Sequence, residues 1–426
     1  DIEGGYAMIE VIEGYVEEVA LSGDPSPAAA AIAAKLSRKA PTKLADLERV
    51  LLQISDLRGV RIVRSAMLPD PVDLRRHTLA LDLKVDALAG SLQADNRGTR
   101  EVGPVQAFLQ GAANSAVLSG DQLGAGLFFT PLDPKELLFG QAYYTAPIGT
   151  SGLYATAYGS ASRIRSGGAL AMFDVEGSSR QTMARLSYPM IRTRAFSLWG
   201  NLSFSMRRLE EQRMDLLAYE DKTRTLAVSV NAAWRKWSGV TTLHVEVVRG
   251  LGVLGASDGA SGPVSRPNAD GAFTRGRFDA SRTQNIGRRL QVHFAATGQT
   301  SDRALLSSEE FAFGGARYGR AFDYGAITGD SGVAGAIEAR LVDMVKLPHI
   351  VGHHVFAFYD VGAVWNRDPL FFEREHAHAS AFGVGARINL TRKARAVYEA
   401  ARPVDGLNAS FADESWRHFF SVSAAF

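Results

Sequence analysis

The sequence predicts an all-β transmembrane barrel of 16 antiparallel strands that follows a small N-terminal α+β domain. From about residue 87 onward, segments of roughly ten residues alternate apolar and polar side chains, which is typical of transmembrane strands. The connections between these segments are alternately long and short. No apolar run of about 18 residues occurs, and a closed barrel is the other structure that satisfies its backbone hydrogen bonds inside a bilayer.

Composition excludes several kinds of chemistry. The chain has 426 residues, a formal net charge of +2 and no cysteine. Disulfides, zinc–thiolate sites and thiol nucleophiles are therefore excluded, and the small net charge gives no support for a nucleic-acid partner. The length suggests about two or three domains. The chain opens on DIEGGYAMIEVIEGYVEEV without a visible signal peptide, and we expect residues 1–13 to be the end of a preceding domain.

Residues 14–86 have the pattern of a small α+β domain. GYVEEVALSG is a candidate strand, and Ser26 before Pro27 marks a helix start. VRIVRSAML and TLALDLKV alternate as a hairpin, so the predicted order is β-α-α-β-β. A second helix begins near Thr42, and its apolar residues at helical spacing are Leu44, Leu47, Leu51 and Ile54. We expect the last three of these to be buried under the sheet.

The barrel strands are predicted from alternation alone. In AFSLWGNLSFSM, for example, Leu202 and Met206 point to one side while Asn201 and Ser205 point to the other. The predicted strands are 88–97, 105–115, 121–131, 137–146, 152–163, 175–187, 194–208, 222–235, 239–250, 273–283, 288–300, 331–342, 354–365, 380–390, 394–402 and 416–426.

The lengths of the connections distinguish a membrane barrel from a soluble sandwich, whose strands also alternate. Most short connections are turns of a few residues, such as KWS at 236–238 and TRK at 391–393, with 343–353 as an exception. Short turns on one side and long loops on the other are typical of an outer-membrane barrel. The long connections are 164–174, 209–221, 251–272, 301–330, 366–379 and 403–415.

The last predicted strand, WRHFFSVSAAF, ends on an aromatic residue. Phe420, Val422 and Phe426 share one face of this strand. A terminal aromatic on such a strand resembles the C-terminal signal that the barrel-assembly machinery reads. The alternative is an ordinary strand that ends on phenylalanine by chance.

A β-α-α-β-β domain followed by 16 alternating strands resembles the outer-membrane polypeptide-translocating superfamily, in which a POTRA (polypeptide-transport-associated) domain precedes a barrel. More closely, the chain resembles the transporter half of two-partner secretion systems, the hemolysin/hemagglutinin secretion and activation family. The resemblance extends over essentially the whole chain. The stretches that carry it are EVIEGYVEEVALSG, TKLADLERVLLQISDLRGVRI, GSLQADNRGTREVGPVQAFLQG, SGDQLGAGLFFTPLDPKELLFGQAYYTAPIGTSG, LLSSEEFAFGG, FAFYDVGAVWNRDP and YEAARP.

The resemblance implies an outer-membrane translocator of a Gram-negative bacterium, with residues 14–86 as a periplasmic POTRA domain and residues 87–426 as the barrel. It implies that an unfolded, secreted partner protein crosses without ATP, and it implies neither a cofactor nor an enzymatic activity. We also expect contact with membrane lipids and lipopolysaccharide, insertion by the barrel-assembly machinery, and a monomer. The alternative function is an outer-membrane insertase or an accessory barrel of a larger envelope complex. A neighbouring gene for a large secreted β-helical protein would favour secretion.

A glycine-rich stretch, FGGARYGRAFDYGAITGD at 313–330, lies between the eleventh and twelfth predicted barrel strands. In the family this connection is the sixth extracellular loop, which folds back into the barrel lumen. Its tip carries a Val-Arg-Gly-Phe/Tyr motif whose arginine meets an aspartate on a barrel strand. The resemblance assigns that motif to Gly319, Arg320, Ala321 and Phe322, of which the second and fourth match, and it assigns the aspartate to Asp360 in FYDVG.

The alternation of HVFAFYDVGAVW supports the same pair of residues without the family. It places Asp360 on one face with Phe356 and Phe358. A carboxylate at membrane depth is not expected to face lipid, so this face is predicted to line the lumen. Water could solvate Asp360 there; the alternative is a bidentate, charge-assisted clamp with Arg320.

The remaining charged residues and motifs give weaker predictions. FGGARYG lacks the ending of a phosphate-binding loop and precedes no helix. EREHAH could hold a metal through His376 and His378, but solvated charges in a loop are the more ordinary interpretation, and no catalytic triad can be placed. A hydrated channel wall is predicted from the charged residues assigned to the lumen, which are Arg207, Arg235, Glu338, Arg340, Arg387, Arg395 and Glu399.

Overall fold

The computed structural model describes residues 2–3, 6–7, 13–37, 39–99, 101–259, 262–344, 348, 350–371, 373–405 and 415–426. Sixteen of the described strands close into one antiparallel barrel. Each barrel strand pairs with the preceding and following barrel strands, and the last strand pairs with the first. The predicted fold class, a closed barrel of 16 antiparallel strands, is therefore confirmed.

The strand bounds follow the alternating pattern closely. Two short ladders lie outside the barrel wall: β1 (Ile2–Glu3) with β2 (Tyr6–Ala7), and β17 (Phe311–Phe313) with β18 (Ile327–Gly329). The barrel strands are β6 (Leu88–Asp95), β7 (Gln106–Asn114), β8 (Gln122–Phe129), β9 (Leu137–Ile148), β10 (Leu153–Arg165), β11 (Val175–Arg192), β12 (Phe196–Arg213), β13 (Leu216–Lys236), β14 (Gly239–Gly250), β15 (Thr274–Ile286), β16 (Leu290–Ser301), β19 (Ser331–Val342), β20 (Gly352–Trp365), β21 (His376–Asn389), β22 (Ala394–Asp405) and β23 (Arg417–Ala425).

Two predicted long loops differ from the structure. The connection predicted at 209–221 is almost entirely ladder, because β12 and β13 continue to a turn at Met214 and Asp215, which have φ of 50° and 61°. Positive φ at both central residues is the geometry of a tight hairpin turn. Beyond the apolar band, charged pairs such as Arg208–Glu220 (2.5 Å) replace the apolar–polar alternation, which hid the strand in the sequence. Similarly, β21 begins at His376, so the predicted loop 366–379 is shorter.

The two faces of each strand have the predicted phases. On β20, Val355 and Tyr359 are exposed on the outer surface, whereas Phe356 and Phe358 are buried and Asp360 is fully buried inside the barrel. The outer surface as a whole shows rows of exposed apolar side chains, as a lipid-facing surface requires.

Residues 15–85 form a separate unit with the order β3 (Tyr15–Gly23), α1 (Pro27–Ala33), α2 (Leu44–Asp56), β4 (Val60–Pro69) and β5 (Arg76–Val85). Its three-stranded sheet has the order β3-β5-β4, with β3 parallel and β4 antiparallel to β5. Ser26 caps α1 by accepting from the Ala29 backbone N–H at 3.2 Å. Within the described residues, no helix is long and apolar enough to cross a membrane.

The core of this unit differs in part from the prediction. Ile54 is fully buried and Val50 is nearly so, whereas Leu47 and Leu51 are only half-buried at the edge of the core. Leu44 is exposed, because it is the first residue of α2 and lies beyond the sheet.

The small unit rests on the short-turn end of the barrel. Asp56 at the end of α2 accepts from Arg192 Nε at 2.9 Å and from Arg192 Nη2 at 2.7 Å. Gln53 Nε2 donates to the Ser151 carbonyl at 3.1 Å. These contacts place the unit directly beneath one mouth of the barrel.

Candidate functional site

The connection between β16 and β19 turns back into the barrel. After a short 3₁₀ turn at Ser307–Glu309, β17 and β18 form a two-stranded ladder against the inner faces of β19, β20 and β21. We call residues 314–326 the loop tip and the ladder with its flanking residues the loop stem. The tip lies in the lumen, where Phe313 and Phe322 pack with ring centroids 6.1 Å apart.

Two glycines in the barrel wall give the loop stem room to approach. A methyl group added at Gly362 of β20 would overlap the ring of Phe313, and one added at Gly332 of β19 would overlap the ring of Phe311. The glycine of FYDVG therefore allows a close contact between loop and strand.

Arg320 is the centre of the loop tip. It is only 5% exposed, and its Nη2 and Nε donate to the two oxygens of Asp360 at 2.8 Å and 3.0 Å. Its backbone N–H donates to the same carboxylate at 3.0 Å. The guanidinium also lies over the ring of Phe358, 3.4 Å from the centroid. Three donors and a stacked ring fix the position of the arginine.

Glu338 is the second acidic partner of Arg320, whose Nη1 donates to it at 2.6 Å. Arg340 Nε donates to Glu338 at 2.6 Å and Arg387 Nη2 donates to it at 3.0 Å. These residues therefore form a dense ion-pair network around the loop tip, and hydration of this part of the wall stays a prediction. We call Arg320, Asp360 and Glu338 the tip clamp.

Sequence reasoning missed two further arginines that hold the tip. Arg97, just after β6, donates to the Arg320 carbonyl at 3.5 Å and to Glu399, and its guanidinium lies 4.1 Å from the centroid of the Phe419 ring. Arg417 of β23 donates to the Ala321 carbonyl at 2.9 Å and to Asp323 at 2.6 Å. Because the contacts of Arg97 and Arg417 span 302 and 96 residues of chain, no spacing in the sequence could have predicted them.

The departure of the tip from the family motif has a simple structural reason. The tip needs a positive φ at Gly319 (73°), the residue before the arginine, whereas Ala321 is not among the residues with positive φ. A methyl group at Gly319 would also lie 2.6 Å from the Phe313 ring. Ala321 is buried at 1% exposure, so its methyl group fills space in the tip without backbone strain.

The other predicted lumen residues have varied surroundings. Arg207 Nη1 donates to the Ser308 carbonyl at 3.3 Å, so it contacts the loop. Arg235 and Arg395 are exposed towards the short-turn end. Their positions are compatible with a hydrated channel wall, which stays a prediction for these two residues.

A second cluster joins the long connections around Arg266, which is 2% exposed and lies between β14 and β15. Its Nε and Nη2 donate to Glu373 at 2.9 Å and 2.8 Å. Its Nη1 donates to Asp330 at 2.6 Å and lies 3.2 Å from Glu310. Glu373 belongs to the connection between β20 and β21, while Asp330 and Glu310 flank the loop stem. We call these four residues the outer clamp.

Glu310 is the member of the outer clamp whose pKa is raised far above its ordinary value. Burial raises the pKa of Glu310 to about 7, although the Arg266 guanidinium and a hydrogen bond with Thr328 act to lower it. Asp330, which is fully buried, also accepts from the Leu305 backbone N–H at 2.6 Å and from the Arg367 backbone N–H at 2.8 Å. With Arg266 and Glu373, these two residues give the outer clamp one guanidinium and three carboxyl groups.

Two cavities flank the loop tip. The inner cavity, of about 680 Å³, extends from Asp56 and Arg192 to Arg317 of the tip. The outer cavity, of about 770 Å³, lies between the tip residue Phe322 and Arg266 of the outer clamp. The outer clamp thus borders the outer cavity through Arg266, Glu310 and Glu373, and the tip borders it through residues 321–323, which follow Arg320 in the chain.

The motif EREHAH gives no metal centre within the described residues, where no group of three or more potential ligands is close enough together. His378 lies on β21, with its Nε2 3.5 Å from Asp405. Phe420 and Val422 on β23, and Phe426 directly after it, are exposed on the outer surface. Phe426 exchanges backbone hydrogen bonds with Gly90 of β6 at 3.0 Å and 3.1 Å, so it helps to close the barrel.

Comparison with known proteins identifies relatives of this architecture. The family model for haemolysin secretion/activation protein ShlB/FhaC/HecB matches residues 84–388. The structure of CdiB from Escherichia coli matches with a TM-score of 0.81 and 19% identity, covering 97% of this chain and 77% of that one. CdiB from Acinetobacter baumannii gives a TM-score of 0.73 and 17% identity, with 97% and 74% covered.

A further solved structure shares the fold. BamA from Haemophilus ducreyi lacking POTRA domains 1–3 gives a TM-score of 0.64 and 10% identity, with 97% of this chain and 85% of that one covered. At identities of 19%, 17% and 10%, the likeness to these three structures shows the fold alone. No curated protein matches the chain in a sequence comparison.

Proposed function

The chain belongs to the haemolysin secretion/activation protein family, and from this premise we propose that it carries an unfolded partner protein across the outer membrane without ATP. Membership makes the chain a two-partner secretion transporter of the Gram-negative outer membrane. The family acts by translocation and not by catalysis.

The observation that carries the proposal is a lumen closed by the chain's own loop. The tip separates an inner cavity of about 680 Å³ from an outer cavity of about 770 Å³. Displacement of the tip would join them into one path that begins beside Asp56 of the small unit. A polypeptide could follow this path only as an extended chain, so the cargo would cross unfolded.

Residues 14–86 are the proposed receptor, as a POTRA domain. Among the described residues, no further strand pairs with the outer edges of β3 and β4, and β4 exposes Val63 and Leu68. A sheet edge can bind an extended segment by adding it as a further strand. Such binding would bring the cargo next to the inner cavity.

Two features agree with transport that uses no nucleotide. The glycine-rich stretch that superficially suggests phosphate binding is the loop tip, and its Arg320 is occupied by Asp360 and Glu338. Release of the tip by the cargo would then depend on binding free energy alone. We also expect a monomer that contacts lipids and lipopolysaccharide, inserted by the barrel-assembly machinery through Phe420, Val422 and Phe426.

The test is secretion in a Gram-negative host that lacks both partners. The chain is produced together with the exoprotein encoded by the neighbouring gene, and the exoprotein in the medium is measured. We expect secretion by the whole chain, and loss of secretion when residues 1–86 are removed although the barrel still inserts. Normal secretion by that barrel would show that residues 14–86 are not the receptor, and no secretion by the whole chain would contradict the proposed function.

A further inference from the structure

We propose that the outer clamp is a second closure of the barrel, which holds the loop stem at the cell-surface mouth and opens separately from the tip clamp. This inference rests on the proposed function. It assigns a role to Arg266, which belongs neither to the motif at the loop tip nor to an alternating strand.

The contacts of Arg266 connect three separate parts of the chain. Its fork binds both oxygens of Glu373 in the connection between β20 and β21, at 2.9 Å and 2.8 Å. Its Nη1 binds Asp330 at 2.6 Å and the Leu305 carbonyl at 3.0 Å, one on each side of the loop stem. A planar guanidinium can satisfy acceptors in several directions at once, which an ammonium group cannot do with the same geometry.

Burial makes it costly to break the contacts of the outer clamp one at a time. Asp330 is fully buried and Arg266 is 2% exposed. Removing one partner of a desolvated ion pair leaves the other charge uncompensated, so the joined loops are expected to separate together. A second contact supports the same joint, because Asn268 Nδ2 donates to the Asp368 carbonyl at 2.5 Å.

The outer clamp is physically distinct from the tip clamp. The two share no residue, and the outer cavity of about 770 Å³ is lined by Arg266, Glu310 and Glu373 of the outer clamp but by no residue of the tip clamp. If only the tip is displaced, Arg266 still holds the stem through Asp330, and the connections on either side remain tied across the mouth. Passage of a cargo segment out of the outer cavity therefore requires the outer clamp to release as well.

The chain has no cysteine, so an introduced cysteine is its single thiol, and labelling of the chain reports on that position alone. The first arm of the test measures how fast a membrane-impermeant maleimide labels Ala326→Cys, which lines the outer cavity. On whole cells, adding Arg266→Ala should raise the labelling rate at least about tenfold, because a desolvated pair is lost. Arg266→Lys should give an intermediate rate. An unchanged rate in Arg266→Ala would overturn the proposal.

The matched control for this arm is Arg303→Ala. Arg303 lies in the connection that carries the loop stem, just after β16, but about half of its side chain is exposed and its ion pairs are 3.6 Å and 3.7 Å long. It should leave the labelling of Ala326→Cys unchanged. Heat-modifiable migration of each variant on a gel verifies that the barrel has folded. If Arg266→Ala gives no folded barrel, the same comparison is made with Glu373→Gln, which keeps the side-chain size and should also raise the rate.

The second arm closes the mouth covalently. The Asn268→Cys, Asp368→Cys double variant is linked with a short bis-methanethiosulfonate reagent, from which each cysteine thiolate displaces methanesulfinate to form a disulfide that a reductant later cleaves. Linking should stop secretion of the exoprotein, and cleaving the linker should restore it, while each single cysteine variant secretes normally. Full secretion by the linked protein would overturn the proposal. The labelling arm needs no cargo, so a chain that secretes nothing in any form contradicts the proposed function and leaves the labelling result to decide on the outer clamp.

Discussion

At the scale of single residues, the tip clamp depends on a pair that is almost free of solvent. Arg320→Ala would leave Asp360, which is fully buried, without its main partner. Breaking such a pair costs about 3–5 kcal/mol when both groups are desolvated. We expect Arg320→Ala and Asp360→Ala each to impair secretion strongly while the barrel still assembles. The measurement is exoprotein in the medium, normalised to folded barrel in the membrane.

The double variant separates a clamp from two independent roles. It should secrete no less than either single variant, because the two residues act as one unit. Arg317→Ala is the matched control: this arginine lies on the same tip but its side chain is 61% exposed, and it should secrete normally. Strictly additive losses in the cycle would show that Arg320 and Asp360 do not work as a pair.

Glu310 gives the outer clamp a pH dependence. Its pKa is raised to about 7 by burial, and it faces Arg266, Asp330, Glu373 and Thr328. In the closed form, Glu310 binds its proton more tightly than an exposed carboxyl group does. The resulting stabilisation of the closed form is therefore complete below the ordinary carboxyl pKa. That contribution is lost as the pH rises through about 7.

The barrel mouth should therefore open more often at pH 8 than at pH 5.5. Conductance of the purified protein in a planar bilayer measures this directly, as the frequency of transitions to higher conductance. Glu310→Gln removes the titrating proton and should make the frequency nearly independent of pH over this range. A pH dependence that persists unchanged in Glu310→Gln would assign it to another group.

At the scale of elements, α2 shows which apolar positions form the core of the small unit. Ile54→Ala should destabilise the unit by about 2–5 kcal/mol, because Ile54 is fully buried and its truncation leaves a cavity. Leu51→Ala should cost less, since this residue is half-buried, and Leu44→Ala, at 78% exposure, should cost almost nothing. Hydrogen exchange of β3–β5 in the whole protein measures the differences. Equal loss of protection in Ile54→Ala and Leu44→Ala would contradict this packing.

At the scale of the whole molecule, the long connections are predicted to lie outside the cell and the short turns in the periplasm. The small unit contacts the short-turn end through Asp56 and Arg192, which agrees with this orientation. Epitope tags at positions 258 and 370 should bind antibody on intact cells. A tag at 391–393 should bind only after the outer membrane is opened. Tags at 258 and 370 that stay hidden on folded protein would reverse the orientation.

Alternation predicted the barrel well because each strand is a local pattern with a period of two. The Arg320–Asp360 contact could also be predicted from the sequence, because a family motif marked one residue and the phase of β20 marked the other. The outer clamp was not, because Arg266 and Glu373 are 107 residues apart and lie in connections without any period. The β12–β13 hairpin was missed for a related reason: charged pairs replace apolar residues above the membrane, so the ladder continues after its sequence signal ends.

The seated loop also has a consequence for the permeability of the cell envelope. A wide barrel left open would admit detergents and antibiotics. The leak in the absence of cargo would therefore depend on how often the loop tip leaves the lumen. Every 1.4 kcal/mol or so in favour of the seated form lowers the open fraction about tenfold. An advantage of about 3 kcal/mol would leave fewer than roughly one barrel in a hundred open at any moment. On the proposed function, Arg320, which donates to Asp360 at 2.8 Å, would thereby keep harmful solutes out for as long as no cargo is present.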